Sequence, residues 1–536
     1  MEPGRPSLPR CRSIGLCFLL LALLDFLLPA HRALSAEGSP IFAIKSFTVE
    51  GNTLLPEKTV QDTLRPYEGP KKTSQDVEKA RAALEKVYHD KGYPAVLVNI
   101  PEQTVKDGKV LLQVIESKIG KVRVTGNRYF TAEKILSDLP SLAPGKILYI
   151  PAVQQELERI NRGKDIKVSP VLSPGEEPGT TDVELKVEDN LPLHGNLELN
   201  NRSTLHTTDL RLNTMLRYDN LWQMDHSLSV QYQTSPQDTG QVKMYSASYT
   251  LPAPWMADHQ IALYGVRSDS NTAVFGEGLL INGKGSIFGV RYVVPLAPYG
   301  PYAHNITLGL DYKDFQDTTG FTTGAAGFTT PVTYVPLSVS YNSSVGDSWG
   351  MTRFSSGLNV LFRGLLSNQE EFQTARYQSR GNYLYMTAGV ERDLKLPADF
   401  SIFFKVDGQI ADQPLIFHEE YIAGGMMSVR GYKEASALGD DALHGTAELS
   451  APDLVPLLHL GTRFKVTPFL FYDYVWLNQL DPLQSYIHNL QSTGVGLRGG
   501  VYKNFYYEID LAYPLAETTA ASKYQERWFF KAGVQF

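Results

Sequence analysis

Cysteine is almost absent from this chain. Its 536 residues include two, Cys11 and Cys17, both near the start. No disulfide therefore frames the remainder, and no thiolate set is available for zinc. Long apolar runs are also missing. After the first forty residues no unbroken apolar stretch reaches helix-spanning length, which argues against a helical membrane protein. Positive charge is in deficit, with 50 Lys and Arg against 57 Asp and Glu and a net charge of −7. That balance argues against nucleic-acid binding. There is no phosphate-cradling glycine loop, no close His/Cys set and no serine elbow. The scattered His206, His226, His259 and His444 read as solvated or girdle residues. No catalytic residue, metal or cofactor is assigned, and an enzyme is not expected.

What is present begins with an export signal. Arg5, Arg10 and Arg12 precede an apolar core from Ile14 to Pro29, and Ala33-Leu34-Ser35 supplies small residues for cleavage. Both cysteines fall inside this stretch, so the mature chain is expected to have none. Removing residues 1–36 takes away four Arg and two acidic residues, moving the net charge from −7 to −9. Tyr (29), Phe (24) and Gly (44) are plentiful, as in an aromatic-girdled β-protein.

An internal repeat follows. Phe47-Thr48-Val49-Glu50-Gly51-Asn52 matches Val122-Arg123-Val124-Thr125-Gly126-Asn127. Each Gly-Asn pair ends an alternating strand and precedes a helical stretch, as turn-forming residues do. In the first copy Thr73 and Ser74 are cap candidates, and Val77, Ala80, Leu84 and Val87 form one apolar helix face. Gly92 and Pro94 end that helix, Ala95–Ile100 reads as a strand, and Asp107-Gly108 marks a hairpin into Val110–Glu116. In the second copy Val153, Leu157 and Ile160 mark the helix, and Asp182–Glu188 alternates as the closing strand. The order β-α-α-β-β, twice, resembles the POTRA (polypeptide-transport-associated) domain, with modules expected over 41–117 and 118–189. The resemblance implies a small sheet whose open edge pairs with an extended client chain.

From about Leu191 the pattern changes to longer alternating strands. Ile402, Phe404, Val406 and Ile410 oppose Ser401, Phe403, Lys405, Asp407 and Gln409. About sixteen such strands are expected, near 193–200, 207–219, 225–236, 241–251, 257–268, 284–294, 302–314, 331–343, 350–362, 380–393, 399–411, 440–450, 463–475, 491–500, 503–513 and 525–536. Short turns carrying Pro252, Pro295, Pro397 and Pro452 follow even-numbered strands. Longer connectors, 269–283 and 412–439, follow odd ones. An even count with alternating short and long connectors fits a closed membrane barrel over 191–536, which leaves no unpaired edge in lipid. The last strand ends on Phe536, similar to the terminal aromatic that outer-membrane barrels present to the barrel assembly machinery.

Within the connector 412–439 lies Gly424-Gly425-Met426-Met427-Ser428-Val429-Arg430-Gly431-Tyr432. It is too glycine-rich and polar for a lipid-facing strand. Some forty residues on, Phe471-Tyr472-Asp473 places Phe471 and Asp473 on one strand face. A guanidinium and a carboxylate can form paired charge-assisted bonds. These motifs resemble the two-partner-secretion transporters of the haemolysin-activator type, within the Omp85 outer-membrane superfamily. The resemblance implies that Val429, Arg430, Gly431 and Tyr432 fold into the barrel and that Arg430 meets Asp473 beside Phe471. It further implies a transporter in the outer membrane of a Gram-negative bacterium, with periplasmic POTRA modules that capture an unfolded exoprotein of the adhesin or haemolysin type. ATP is not expected, since folding of the client outside can bias its movement. An Omp85-type assembly factor and a passive porin are the competing readings. Two departures stand out. Gly439-Asp440-Asp441-Ala442 lacks the second Gly of the family's Gly-Asp-x-Gly. The repeat also begins at Ile41, which leaves no room for a plug helix, so the inserted loop is expected to close the pore or leave it partly open.

Overall fold

The structure, a computed structural model, describes residues 41–536 apart from 206, 270–271, 276–278, 283, 320–327, 460, 462, 481–486 and 519–520. The export signal with Cys11 and Cys17 lies outside the described residues.

The first repeat is built from β1 (Phe42–Ile44), β2 (Ser46–Glu50), α1 (Glu57–Leu64), β3 (Gly69–Lys72), α2 (Ser74–Asp90), β4 (Val96–Asn99) and β5 (Lys109–Glu116). Its sheet runs β2-β5-β4, with β2 parallel to β5. A small β1–β3 pair, not foreseen in the sequence, stands apart from it. Helix α2 starts where the Asp76 carboxylate accepts both the backbone N–H and the hydroxyl of Thr73. Its buried face is Val77, Ala80, Leu84 and Tyr88. Tyr88 rather than Val87 completes that face, because it lies one helical turn beyond Leu84. The Asp107-Gly108 hairpin has left-handed φ angles of 57° and 77°.

The second repeat comprises β6 (Lys118–Thr125), α3 (Ala132–Ser137), α4 (Ile150–Ile160), β7 (Ile166–Pro174) and β8 (Thr180–Asp189), with sheet order β6-β8-β7. The two Gly-Asn corners are built alike. Gly51 and Gly126 have φ of +83° and +86°, and a Cβ on either would fall 2.3 Å from the carbonyl oxygen of Val114 or Val187. Only glycine fits such a left-handed corner pressed on a neighbouring strand. The Glu116 carboxylate accepts the N–H groups of Thr53 and Leu54, and that of Asp189 accepts those of Arg128, Tyr129 and Phe130. Each corner's otherwise unpaired donors are thus met by an acid at the end of the return strand.

The long C-terminal region is a closed antiparallel barrel. Its strands are β9 (Leu193–Asn200), β10 (Arg211–Leu221), β11 (His226–Thr234), β12 (Lys243–Ala253) and β13 (Met256–Ser268). A hairpin of β14 (Thr272–Phe275) and β15 (Leu279–Asn282) follows. The wall resumes with β16 (Gly285–Pro295), β17 (Tyr302–Thr319), β18 (Phe328–Tyr334), β19 (Leu337–Asp347), β20 (Gly350–Val360), β21 (Leu384–Lys395) and β22 (Ser401–Ala411). A short α5 (Gln369–Ala375) lies between β20 and β21, and a small pair, β23 (Tyr421–Ala423) and β24 (Ala437–Gly439), lies in the long connector. The wall ends with β25 (Asp441–Ser450), β26 (Phe464–Asn478), β27 (Ile487–Val501), β28 (Phe505–Pro514) and β29 (Arg527–Gln535).

Strands β18 and β19 both pair with β17, β18 along Lys313–Thr319 and β19 along Tyr302–Leu310. They are the two halves of one wall strand broken at Val335-Pro336, where proline has no N–H for the ladder. The wall therefore has sixteen strands. β29 closes it against β9 through the pairs Lys531↔Asn200 to Gln535↔Asn196. Pro252 and Pro295 stand in the last residues of β12 and β16 rather than in the turns themselves.

The outward faces are apolar. On β26 Leu470 and Tyr472 are exposed, whereas Phe469, Phe471, Asp473 and Val475 are buried. On β22 Phe404, Val406 and Ile410 face out. This inverts the pattern of a water-soluble sheet and matches a barrel in lipid. Among the described residues no helix is long and apolar enough to cross a membrane.

Candidate functional site: an arginine loop inside the barrel

The connector between β22 and β25 turns into the barrel instead of standing on its rim. Its tip is tightened by bonds from Gly425 N–H to the Val429 carbonyl and from Ser428 N–H to the Gly425 carbonyl. Gly424, Gly425 and Gly431 all have φ near +100°. Gly425 has a second constraint, since a Cβ there would fall 2.2 Å from the Glu434 carboxylate. Val429, Arg430 and Tyr432 are buried; Arg430 is 3% exposed and the facing Asp473 0%.

Arg430 donates to Asp473 three times, from the backbone N–H at 3.1 Å, Nε at 2.8 Å and Nη2 at 2.8 Å. Its remaining arm, Nη1, reaches Glu448 at 2.6 Å. Thr446 donates a further bond to Asp473. Arg498 donates to the other oxygen of Glu448 at 2.5 Å. The guanidinium also lies 3.6 Å from the ring centre of Phe471, and that of Arg498 lies 3.8 Å from the ring of Phe469. A buried charge is tolerable only when paired and hydrogen-bonded this fully.

Two glycines of β27 make the space. A Cβ on Gly494 would fall 2.5 Å from Cζ of Phe471, and one on Gly496 would fall 2.1 Å from Cζ of Phe469. Strand β27 thus presents bare backbone where the two rings lie.

Other contacts hold the tip's flanks. The Tyr432 hydroxyl donates to the Ala516 carbonyl at 2.7 Å and accepts from the Ala516 N–H. Glu434 accepts from Arg202 Nε at 2.9 Å, and its own N–H donates to the Ser203 carbonyl. Arg527 donates to the Gly431 carbonyl at 3.2 Å. The loop is therefore held on one side by β25 and β26 and on the other by segments flanking the β9–β29 closure.

Val429, Arg430, Gly431, Tyr432, Phe471 and Asp473, singled out from sequence, lie together. Phe536 lies elsewhere: its backbone exchanges two bonds with Gly195 of β9, and a Cβ on Gly195 would meet its ring. Sequence reasoning missed Glu448, Arg498 and the two glycines. Glu448 lies directly across from Phe471 in the β25–β26 ladder, so a strand alignment was the signal that would have found it.

Residues 42–117 match the family model of the ShlB-type POTRA domain. Residues 179–297 and 322–499 match that of the haemolysin secretion/activation protein ShlB/FhaC/HecB. This chain belongs to that family. Curated relatives include the outer membrane transporter CdiB of Dickeya dadantii, 23% identical over 191 residues, covering 36% of this chain and 34% of the relative. Another is CdiB-2 of Burkholderia pseudomallei, 30% identical over 163 residues, covering 30% of this chain and 27% of that one. These matches span about a third of the relatives' length or less. Among solved structures, CdiB from Escherichia coli superposes with a TM-score of 0.63 at 18% identity, covering 95% of this chain and 93% of the other. BamA from Haemophilus ducreyi lacking POTRA domains 1–3 gives 0.53 at 14% identity, covering 92% and 100%. At such identities both speak for the fold. A ShlB/FhaC/HecB family member with this barrel is an outer-membrane protein, and its POTRA region faces the periplasm. The entry to β9 and the short turns accordingly mark the periplasmic rim. The connector 412–439 enters the barrel from the outer rim.

Proposed function

We propose that this chain is the transporter of a two-partner secretion pair and passes one large, β-rich exoprotein of the adhesin or haemolysin type across the outer membrane without ATP. The observation that carries this reading is the Arg430 loop, folded into the barrel and tied to Asp473. In this reading residues 1–36 are a cleaved export signal, 118–189 form a second POTRA module, and Phe536 serves insertion by the barrel assembly machinery. The interior loop fills space that a solute porin would leave open.

Capture of the client falls to the sheet edges of the two modules. In the first, the outer edge of β4 is occupied by helix side chains: Arg81 donates to the Val98 carbonyl, and Glu85 accepts the Val98 N–H. In the second, Asn161 exchanges both bonds with Val168 of β7. The opposite edges are β2 and β6. The start of β6 is itself taken, since Ile119 donates to the Lys146 carbonyl and accepts from the Gly145 N–H. An extended client would therefore add by backbone hydrogen bonds to β2 and to β6 beyond Ile119, with little demand on its sequence.

The test compares a strain lacking this chain with a complemented one. The transporter reading expects the partner exoprotein to be retained in the periplasm without the chain, while other outer-membrane proteins keep normal levels. A general loss of outer-membrane barrels would identify an assembly factor instead.

A further inference from the structure

The Arg430 anchor is not the loop's sole attachment. Its first half, residues 412–420, packs into an apolar cluster with a nearby stretch of the inner wall. Leu415 and Ile416 join Phe315, Val332 and Tyr334 of β17 and β18, together with Phe372 of α5. Glu419, 4% exposed, accepts bonds from Lys313 at 2.6 Å, the Tyr334 hydroxyl at 2.5 Å and the Tyr385 hydroxyl at 2.8 Å. The segment therefore leaves the wall at the end of β22 and reaches β17 and β18 on the inside of the barrel.

A second outer connector locks onto it. The segment carrying α5 contributes Arg376, whose guanidinium makes a two-pronged pair with Asp440, Nη1 to Oδ1 and Nη2 to Oδ2, both at 2.8 Å. The same Nη1 reaches Glu420 at 2.9 Å and the Leu415 carbonyl at 2.6 Å. Asp440 is fully buried. It also accepts the N–H groups of Leu415 and Leu480, both at 2.7 Å. One carboxylate thus gathers three separate outer connectors, those after β20, β22 and β26. It is the Asp of the Gly439-Asp440-Asp441-Ala442 stretch that departs from the family pattern.

We propose that Arg376, Asp440 and Glu419 form an outer latch that holds α5 and residues 412–420 across the conduit as a lid, separate from the Arg430 anchor. The latch resembles a closure more than a mere fold support in three respects. Its members are ionic, with Asp440 and Glu419 buried and Arg376 half-buried, the segments it joins are connectors and not wall strands, and they meet inside the outer end of the barrel. A client leaving through the barrel displaces this lid, whereas Arg430 and Asp473 keep the loop tip registered on the wall. Arg376 acts as a positioning residue, since it touches the lid and not the client.

This latch rests on the reading of the barrel as a polypeptide conduit, and its test separates the two. Purified full-length protein is placed in planar lipid bilayers, and the fraction of time in conducting states is measured for the native chain, Arg376→Ala and Glu419→Gln. Barrel folding is checked by heat-modifiable migration on gels, and export of the partner is measured in cells. Removing Arg376 leaves Asp440 and Glu420 buried without their cation. We expect conducting time to rise about tenfold or more, a factor equivalent to about 1.4 kcal/mol. Glu419→Gln keeps the shape, removes the charge facing Lys313, and gives a smaller rise. Both variants continue to export. Native-level conductance in both folded variants overturns the latch, and so does loss of export by Arg376→Ala at native conductance. Failure of the native chain to export its partner would instead overturn the transporter reading and leave the conductance result to be judged on its own.

Discussion

Arg430 and Asp473, 43 residues apart in the chain, are joined by three hydrogen bonds that use both carboxylate oxygens. The fork geometry makes lysine a poor substitute. An ammonium can reach one acceptor but cannot span Asp473 and Glu448 while stacking on Phe471. Arg430→Lys is therefore expected to lower export nearly as far as removal of the side chain, with the barrel still inserted. Quantifying the exoprotein in medium against folded barrel in membranes checks this.

The glycine cradle predicts a loop defect from a residue that never touches the loop. Gly494→Val would drive a side chain into Phe471 and into the Leu511 carbonyl, 2.1 Å from the added Cβ. Overpacking of this kind costs about 1–3 kcal/mol. The ring is expected to move and loosen the stacked guanidinium. Limited proteolysis should then cut the 424–434 segment faster than in the native chain, while the barrel keeps its heat-modifiable band.

The paired corners predict equal behaviour in the two repeats. Gly51→Ala and Gly126→Ala both force a Cβ onto a carbonyl oxygen at positive φ. The left-handed conformation alone costs about 1–2 kcal/mol for a residue with a side chain. Hydrogen exchange, read by mass spectrometry, is expected to quicken in β2 and β5 for the first variant and in β6 and β8 for the second, without crossover.

Asp76 predicts a pH dependence. The Thr73 backbone N–H, and then the Thr73 hydroxyl, hold its carboxyl below the ordinary value of 3.8. A lowered folded-state pKa means that the stabilisation is complete above the ordinary value and is lost as pH falls through the lowered one. Asp76→Ala should accordingly weaken amide protection in the first turn of α2 at neutral pH. The difference from the native chain should begin to shrink only below the ordinary value of 3.8 and vanish once pH has fallen through the lowered one, where the native chain also lacks the carboxylate.

Much of the barrel was legible because strand periodicity and turn chemistry are local. The strand expected near 399–411 is observed as Ser401–Ala411, and that near 302–314 extends to Thr319. The bend at Val335-Pro336 was hidden because the two halves of that strand are distinguished only by where they pair along β17. At the site, Arg430 and Asp473 were visible as motif residues. Glu448, Gly494 and Gly496 were not, since their roles depend on which residues face one another across the ladder. Asp440 was visible in the Gly439-Asp440-Asp441-Ala442 stretch, but its pairing with Arg376 was not: 64 residues separate them, and nothing in either local pattern signals the other. In the repeats the Gly-Asn pairs announced the corners, but the acids that staple them, Glu116 and Asp189, belong to strands far along the chain.

The most direct test of the central claim is export by Arg430→Ala, with exoprotein in the medium measured per unit of folded, membrane-inserted barrel. Removing one partner of such a buried pair costs about 3–5 kcal/mol locally, enough to free the loop tip without opening a sixteen-stranded ladder. The account predicts a normal amount of inserted barrel and essentially no exported partner. Export at the native level by that variant would contradict it.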